Sequence, residues 1–313
     1  MKYILPSLTC SALTLAASLL AAAEPADSGQ LPTGQQLLAD AADRLALQPA
    51  IAAKIRHQVD LFGQQLVGSG TYQQLLADNR TLVRMELKLQ IDDRLTTLQQ
   101  INDGVILWIR RDQGDQKQVS YVNLRRVQET ARTAKPARAG SMPSDAMALG
   151  GLPQLLRGLQ QNFQFETPTE EMLGDVPVWV LQGEWKTEKL VELLPDMRKD
   201  RGAASPSPPT DRLPPHLPDH VTVILGRDDF VPLFPYRVEY SRTTPSLLPT
   251  AAWSGRAGEK TASRTRKTIV KMELFEVRRQ WELDPRAFEY QLGDQAIEDH
   301  TELYIQRLGL LNK

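Results

Sequence analysis

Between residues 83 and 91 the chain alternates strictly. Val83, Met85, Leu87, Leu89 and Ile91 are apolar, and Arg84, Glu86, Lys88 and Gln90 between them are polar. A period of two over this length predicts a strand with one dry face and one wet face. Asp92-Asp93 turns the chain into an apolar run over 95–101, and Asn102-Asp103-Gly104 turns it again into the run VILWI over 105–109. Asp-Gly between two apolar strands signals a hairpin, because the tight turn needs positive φ at its centre. A further turn over 110–116 leads to a fourth strand over 117–127. The stretch 81–127 therefore reads as an antiparallel meander with one apolar face, which helices, a second sheet or a ligand must cover.

The same reading extends in both directions. Thr33 is placed to cap a helix from Gly34, with Leu37, Leu38, Ala41, Ala42, Leu45 and Leu47 spaced as one stripe and Pro49 ending it. Residues 51–66 read as a second helix or the first strand; the alternation of Ile55, His57, Val59 and Leu61 favours a single strand running on to Tyr72, with Gly63, Gly68 and Gly70 suiting a bulge or a curve. The segments 129–145, 198–220 and 241–267 read as long loops, rich in Pro, Ser, Ala or Arg. Gly150-Gly151-Leu152-Pro153 opens a helix whose stripe is Leu155, Leu156, Leu159 and Phe163. Strands are predicted over 176–185, 221–225, 233–242 and 268–283, and 186–197 reads as a short helix or a loop. A short strand over 288–290 and a helical or extended end over 301–308 complete the chain. The total is nine to eleven strands with two or three helices, and no internal repeat marks a domain boundary.

Composition narrows the class. With 41% apolar and 24% charged residues the chain is of ordinary globular type, and a net charge of −1 gives no reason to expect a nucleic-acid partner or more than peripheral membrane contact. The N-terminus reads as an export signal: Lys2, an apolar run over 4–20, then Ala21-Ala22-Ala23 before Glu24. Cleavage after Ala23 would deliver residues 24–313 to the periplasm as one domain, expected to be a monomer. Cys10 is the single cysteine, and Ser7-Leu8-Thr9 before it suits lipid modification poorly. A mature chain without cysteine has no disulfide, thiol nucleophile or cysteine metal ligand.

Candidate chemistry is sparse. There is no nucleophile elbow, phosphate-binding glycine loop or His-Glu-x-x-His pattern, so no catalytic residue, metal site or cofactor is assigned. His216 and His220 lie among Pro214, Pro215 and Pro218, which forbid the helix that a metal pair at this spacing needs. His57 reads as a wet-face or satisfied core residue. Asp299-His300 is an adjacent acid and base on a turn, and a two-carboxylate hydrolase remains a rival reading. Asp92-Asp93, Asp228-Asp229 and Asp112 with Asp115 fall at turns, where aspartate bonds its own backbone. The informative feature is the apolar surface. Met85, Leu87, Leu89, Leu107, Trp108, Trp179, Phe234 and Tyr236 either fill a closed core or line a cavity between a curved sheet and helices.

Several short motifs occur in a meaningful order: Gly68-x-Gly70-x-Tyr72, Val83-Arg84-Met85-Glu86-Leu87, residues 97–100 leading into Asn102-Asp103-Gly104, and Leu107-Trp108. Asp284-Pro285-x-x-Phe288 and Asp299-x-Thr301 follow near the end. This order resembles the periplasmic outer-membrane lipoprotein carrier (LolA-like) superfamily, over roughly residues 37–308. The resemblance implies a mainly β protein with α-helices, a half-open antiparallel β-barrel covered by two or three helices around an apolar cavity for acyl chains. It implies a non-catalytic lipid or lipoprotein carrier of the cell envelope, with 35–47 and 152–163 as lid helices and Arg84 as the candidate polar contact. The superfamily's Arg-Pro pair has no match here, and the three long loops exceed what the carrier needs. A sensor or protein-interaction module of the envelope, using the basic segment 256–267, is the other function compatible with that fold.

Overall fold

Thr33 starts the first helix as its spacing predicts. In the computed structural model its hydroxyl accepts from the Gln36 N–H at 3.2 Å while the Gln36 side chain accepts from the Thr33 N–H at 2.8 Å, a reciprocal capping box. The structure describes residues 31–61, 64–91, 94–133, 143–193, 213–214, 217–245, 264–279 and 282–310. The chain divides into two units, residues 1–31 and 32–313, and nearly all described residues belong to the second. The expected export signal and Cys10 lie outside the described residues.

Helix α1 (Gly34–Ala46) precedes six successive strands: β1 (Ala50–Leu61), β2 (Gln64–Ala77), β3 (Arg80–Ile91), β4 (Arg94–Asn102), β5 (Ile106–Gln113) and β6 (Gln116–Asn123). Helices α2 (Leu124–Thr133) and α3 (Pro143–Asn162) follow, then β7 (Phe163–Phe165), β8 (Thr169–Leu173), β9 (Val176–Trp185) and α4 (Thr187–Leu193). The rest is β10 (His220–Gly226), β11 (Pro235–Pro245), β12 (Arg264–Arg279), a 3₁₀ turn (Pro285–Phe288), β13 (Ile297–Asp299) and α5 (Thr301–Arg307).

All thirteen of these strands join one curved, unclosed sheet. Across it the order is β13, β6, β5, β4, β3, β2, β1, β12, β11, β10, β9, β7, with β8 also paired to β9. Every pairing is antiparallel except β13 with β6. The meander predicted over 81–127 is present, although its last strand ends at Asn123 and α2 begins at once. The single strand predicted over 51–72 is instead the β1–β2 hairpin. The inward residues change parity between its arms, odd-numbered in β1 (Ile51, Ala53, Ile55, His57, Val59) and even-numbered in β2 (Leu66, Gly68, Gly70, Tyr72, Gln74). Gly70 lies where β2 and β3 approach closely, and a Cβ there would meet the Glu86 carbonyl oxygen at 1.8 Å.

The loops are shorter than predicted. Residues 129–133 belong to α2 and 143–145 to α3; 241–245 and 264–267 extend strands, leaving 134–142 and 246–263 outside the described residues. The described end of the predicted 198–220 loop is pinned rather than exposed. The Arg242 guanidinium donates to the carbonyls of Leu213, Pro214 and Leu217, the Trp185 indole donates to the Pro218 carbonyl, and Leu213 and Asp219 are buried.

Helices α1 and α3 pack against each other on the inner face of the sheet. Their leucines join Ile55, Tyr72, Met85, Leu181, Val223, Val238 and Leu274 in the main core. Helices α2 and α5 close a second cluster over Leu107 and Val122. On the outer face, Phe288 of the 3₁₀ turn packs with Leu82, Ile101, Trp108 and Tyr290.

Candidate functional site

Directly opposed residues of neighbouring strands point to the same face, so the register sorts the inner face into rows. The first row is Ile51, Gln74, Val83, Asn102 and Leu107, all buried, and the second is Ala53, Tyr72, Met85, Gln100 and Ile109. Ile55, Gly70, Leu87 and Leu98 form the third, and Met272, His57, Gly68, Leu89 and Thr96 the fourth. Val270, Val59 and Leu66 make the fifth.

The upper rows carry polar residues in apolar slots, and these hold the helices. Helix α3 is broken at Gly150 and Gly151, the latter with φ +69° and ψ −162°. That break frees backbone groups in a dry region. Asn102 donates its side-chain amide to the carbonyls of Ala148 (3.1 Å) and Leu149 (2.8 Å) on one side of it. On the other side the Leu152 N–H donates to the Tyr72 hydroxyl at 2.9 Å. That hydroxyl in turn donates to Gln74 Oε1 at 2.7 Å, and Gln74 Nε2 donates to the Leu45 carbonyl in the last turn of α1 at 3.1 Å. A Cβ at residue 151 would stand 2.4 Å from Gln74 Oε1, so glycine is required there. Both helices are thereby tied to β2 and β4 at one end of the sheet.

Burial declines down the rows. Leu87 is buried, but Leu98, Leu89, Met272, Val270, Val59 and Leu66 are only half-buried. They form an apolar trough on the lower inner face. His57 lies in the same trough, and burial lowers its pKa below the ordinary imidazole value. At the rim, a cleft of about 340 Å³ is lined by Val59 and Ile269 with Gln58, Asp60, Gln65, Arg266, Lys267 and Thr268. Lys267 and Asp60 pair there at 3.0 Å.

The structure does not gather the eight apolar residues singled out from sequence. Met85, Leu87 and Phe234 are in the main core, with Leu89, Trp179 and Tyr236 half-buried against it. Leu107 lies in the second cluster under α2 and α5. Trp108, its neighbour on β5, must point the other way and stacks on Tyr290 on the outer face with ring centroids 5.0 Å apart. Arg84 also faces outward and donates to the Ala287 carbonyl at 2.6 Å, so it fastens the C-terminal segment instead of meeting the trough. Trp179 lies under the Arg227 guanidinium at 4.5 Å. The Tyr236 hydroxyl donates to Asp228; burial first, then the Asp228 charge, push its pKa up to about 12. Val59, Leu66, Leu98, Val270 and Met272 were missed. The phase of their alternation was the available signal, but the pairing of β1 with β12 that unites them was not.

The acid–base candidates are engaged elsewhere. Asp299 accepts from the Thr301 N–H and the Tyr121 hydroxyl, and the His300 partner is Glu298 at 2.9 Å. Asp228 accepts the N–H groups of Phe230 and Val231, while Asp112 pairs with Arg110. His216 lies outside the described residues. His220 meets Asp219 at 2.6 Å and Glu184 at 2.9 Å, contacts that raise its pKa. Burial works to raise the Asp219 carboxyl, but hydrogen bonds from His220 and the Thr243 N–H outweigh it and bring the group below its usual range. Among the described residues no group of three His, Cys, Asp or Glu could hold a metal ion, and no helix is long and apolar enough to cross a membrane.

No protein-family model matches the sequence, and no curated protein matches it. Solved structures similar to it include a DUF1329 family protein from Desulfovibrio piger, at 9% identity over 81% of this chain and 95% of that one, with a TM-score of 0.33. The Mycobacterium tuberculosis lipoprotein LppX is 13% identical over 80% of this chain and 100% of its own, with a TM-score of 0.36. A proposed outer membrane lipoprotein-sorting protein domain from Vibrio parahaemolyticus is 10% identical over 80% of this chain and 95% of that chain, with a TM-score of 0.32. The architecture itself, an unclosed antiparallel sheet with helices on its inner face, is the one the LolA-like resemblance implied.

Proposed function

We propose that the protein is an exported, non-catalytic binder of a lipid or lipoprotein acyl chain, acting as a carrier in the periplasm. In this reading residues 24–313 form one monomeric domain, and the chain lies along the lower trough with α1 and α3 as its roof. The observation that carries it is the half-buried apolar surface of Leu89, Leu98, Leu66, Val59, Met272 and Val270, continuous with a sealed core above. Covering such surface is favourable by about 25 cal/mol per Å² before the costs of association. The acid–base residues do not converge on the trough, which favours binding over hydrolysis.

The test is native mass spectrometry of the protein produced by export, from Glu24 onward. A stoichiometric acyl species is expected. It should be lost in Leu89→Glu, which charges the trough, and kept in Lys88→Glu, which changes the exposed outer face of the same strand. Equal loss in both folded variants would remove the trough from consideration, and an empty wild type refilled by no lipid extract would remove the carrier reading.

A further inference from the structure

The cleft at the end of the trough lies where the sheet comes apart. Pairing of β1 with β12 ends at Val59 opposite Val270, yet β1 runs on to Leu61 beside β2, and β12 starts at Arg264 beside β11. The parting coincides with a bulge. Val270 opposes Tyr240 and Thr268 opposes Ser241, so Ile269 is an extra residue on β12. The space of about 340 Å³ lies between the diverging strands, with the end of β1 and Gln65 of β2 as one wall and residues 266–269 of β12 as the other. Side chains alternate along β1, so the cleft takes Val59 from the inner face and Asp60 from the outer one.

Val59 also belongs to the fifth row of the trough, so the cleft and the trough are contiguous. The apolar part of the cleft is withdrawn and the charged part is at its mouth: Ile269 is buried and Val59 half-buried, whereas Arg266 and Lys267 are exposed. Its charges do not balance, since two cations line it with one carboxylate. Lys267 Nζ meets Asp60 at 3.0 Å, but the Arg266 guanidinium donates to the neutral Gln182 Oε1 at 3.3 Å. The Lys267–Asp60 pair, with side chains 56% and 34% exposed, is of the kind that contributes little and is readily exchanged for another anion.

An acyl chain in the trough needs a place for its polar end. A carboxylate or phosphate left among apolar side chains without a partner is costly. The trough is closed above by the core and runs out below at this cleft, which sets the direction of the ligand: tail toward the core, head toward the cations. We infer that the ligand carries an anionic head group, a carboxylate or a phosphate, held in the cleft between β1 and β12 by Arg266 and Lys267. This deepens the acyl-binding reading and rests on it. The head group takes over from Asp60 the contact with Lys267, and the planar Arg266 guanidinium offers it a pair of parallel donors.

The experiment uses the delipidated mature chain and displacement of an uncharged fluorescent acyl probe by myristate, myristyl phosphate and methyl myristate. At low salt the wild type should bind at least one of the anions about tenfold more tightly than the neutral ester, the worth of one hydrogen bond to a charged group. The preference should shrink as salt is raised, and the anion that gains more tells carboxylate from phosphate. An Arg266→Gln/Lys267→Gln variant should bind the ester as the wild type does and lose the preference. Asp60→Asn should tighten the anions about threefold and leave the ester unchanged, because it removes the competing carboxylate. The changed side chains are exposed or half-buried, and urea unfolding checks that each variant is folded. Equal binding of all three probes by the wild type, or a preference that survives in the Arg266/Lys267 variant, overturns this inference and leaves the carrier reading intact. Weaker binding of the anions by Asp60→Asn overturns it too. If none of the three binds the wild type, the acyl-binding reading falls and this inference falls with it.

Discussion

Removing a single oxygen from Tyr72 tests how the roof is held. The hydroxyl sits at the junction of three elements: it accepts from Leu152 N–H where α3 restarts, and donates to Gln74 Oε1, which belongs to the residue that holds the end of α1. Tyr72→Phe keeps the ring and leaves two buried groups without a partner. Each costs about 1–3 kcal/mol, so the variant should lose roughly 2–6 kcal/mol. For a fold stable by about 5–15 kcal/mol this is a large fraction. Urea unfolding of the ligand-free protein measures it, with an unchanged slope showing that the same surface is exposed. Gln74→Met should be costly alone, since it strips partners from the Tyr72 hydroxyl and the Leu45 carbonyl. The double variant should cost less than the sum by about 1–2 kcal/mol, because the two residues share one bond. Hydrogen exchange should locate the damage in the α3 segment after Gly151. A loss below about 1 kcal/mol for Tyr72→Phe, or strict additivity with Gln74→Met, would refute the idea that this chain of bonds ties the helices down.

Gly151→Ala should destabilise by at least about 2 kcal/mol, since φ +69° with ψ −162° is a glycine conformation and the new Cβ would strike Gln74; thermal or urea unfolding reads it. Phe288→Ala should cost about 3–5 kcal/mol in urea unfolding yet leave acyl binding unchanged in the folded fraction, because the ring packs on the outer face. His220 and Asp219 predict a pH window. The raised His220 pKa contributes stability that is complete below the ordinary value of 6.5 and is lost as pH rises through the raised one. The lowered Asp219 pKa contributes stability present above the ordinary 3.8 and lost as pH falls through the lowered value. Urea unfolding at about pH 6 and about pH 8 should show a loss in the wild type that is smaller in His220→Gln.

Strong alternation made β3 and its hairpin partners legible, because each side of the pleat meets a different solvent there. The β1–β2 reversal was not legible. The inward positions change from odd in β1 to even in β2, but Gln64, Gly68, Gly70 and Gln74 occupy most of the inward slots of β2, so the change of phase leaves little apolar pattern to read. Helix α2 was read as the end of a strand over 124–127 and as loop from 129, for the opposite reason. Only Leu124 and Val127 are buried, and its remaining length is Arg, Gln, Glu, Thr and Ala with no stripe to read. Its helicity rests on good intrinsic formers and on packing against α5. Prolines suggested a free loop over 198–220, yet their carbonyls are what Arg242 and Trp185 bind.

The apolar inner face was legible in kind but not in membership. Aromatic size drew attention to Trp108, whereas face is decided by parity, and Trp108 has the parity of Arg84. The trough needed the β1–β12 pairing, which sets His57 beside Met272 and Val59 beside Val270, residues far apart in sequence. The most telling positions looked like faults in the pattern. Gln74, Asn102, Thr96 and Gln100 are polar residues in slots where the period calls for apolar ones. Gln74 and Asn102 prove to be fastenings for the broken helix and the end of α1. Thr96 Oγ1 and Gln100 Oε1 have no hydrogen-bond partner among the described residues. Local rules are broken mainly where structure or function gains by it, and in this sheet the breaks at Gln74 and Asn102, in the row under the helices, hold the roof.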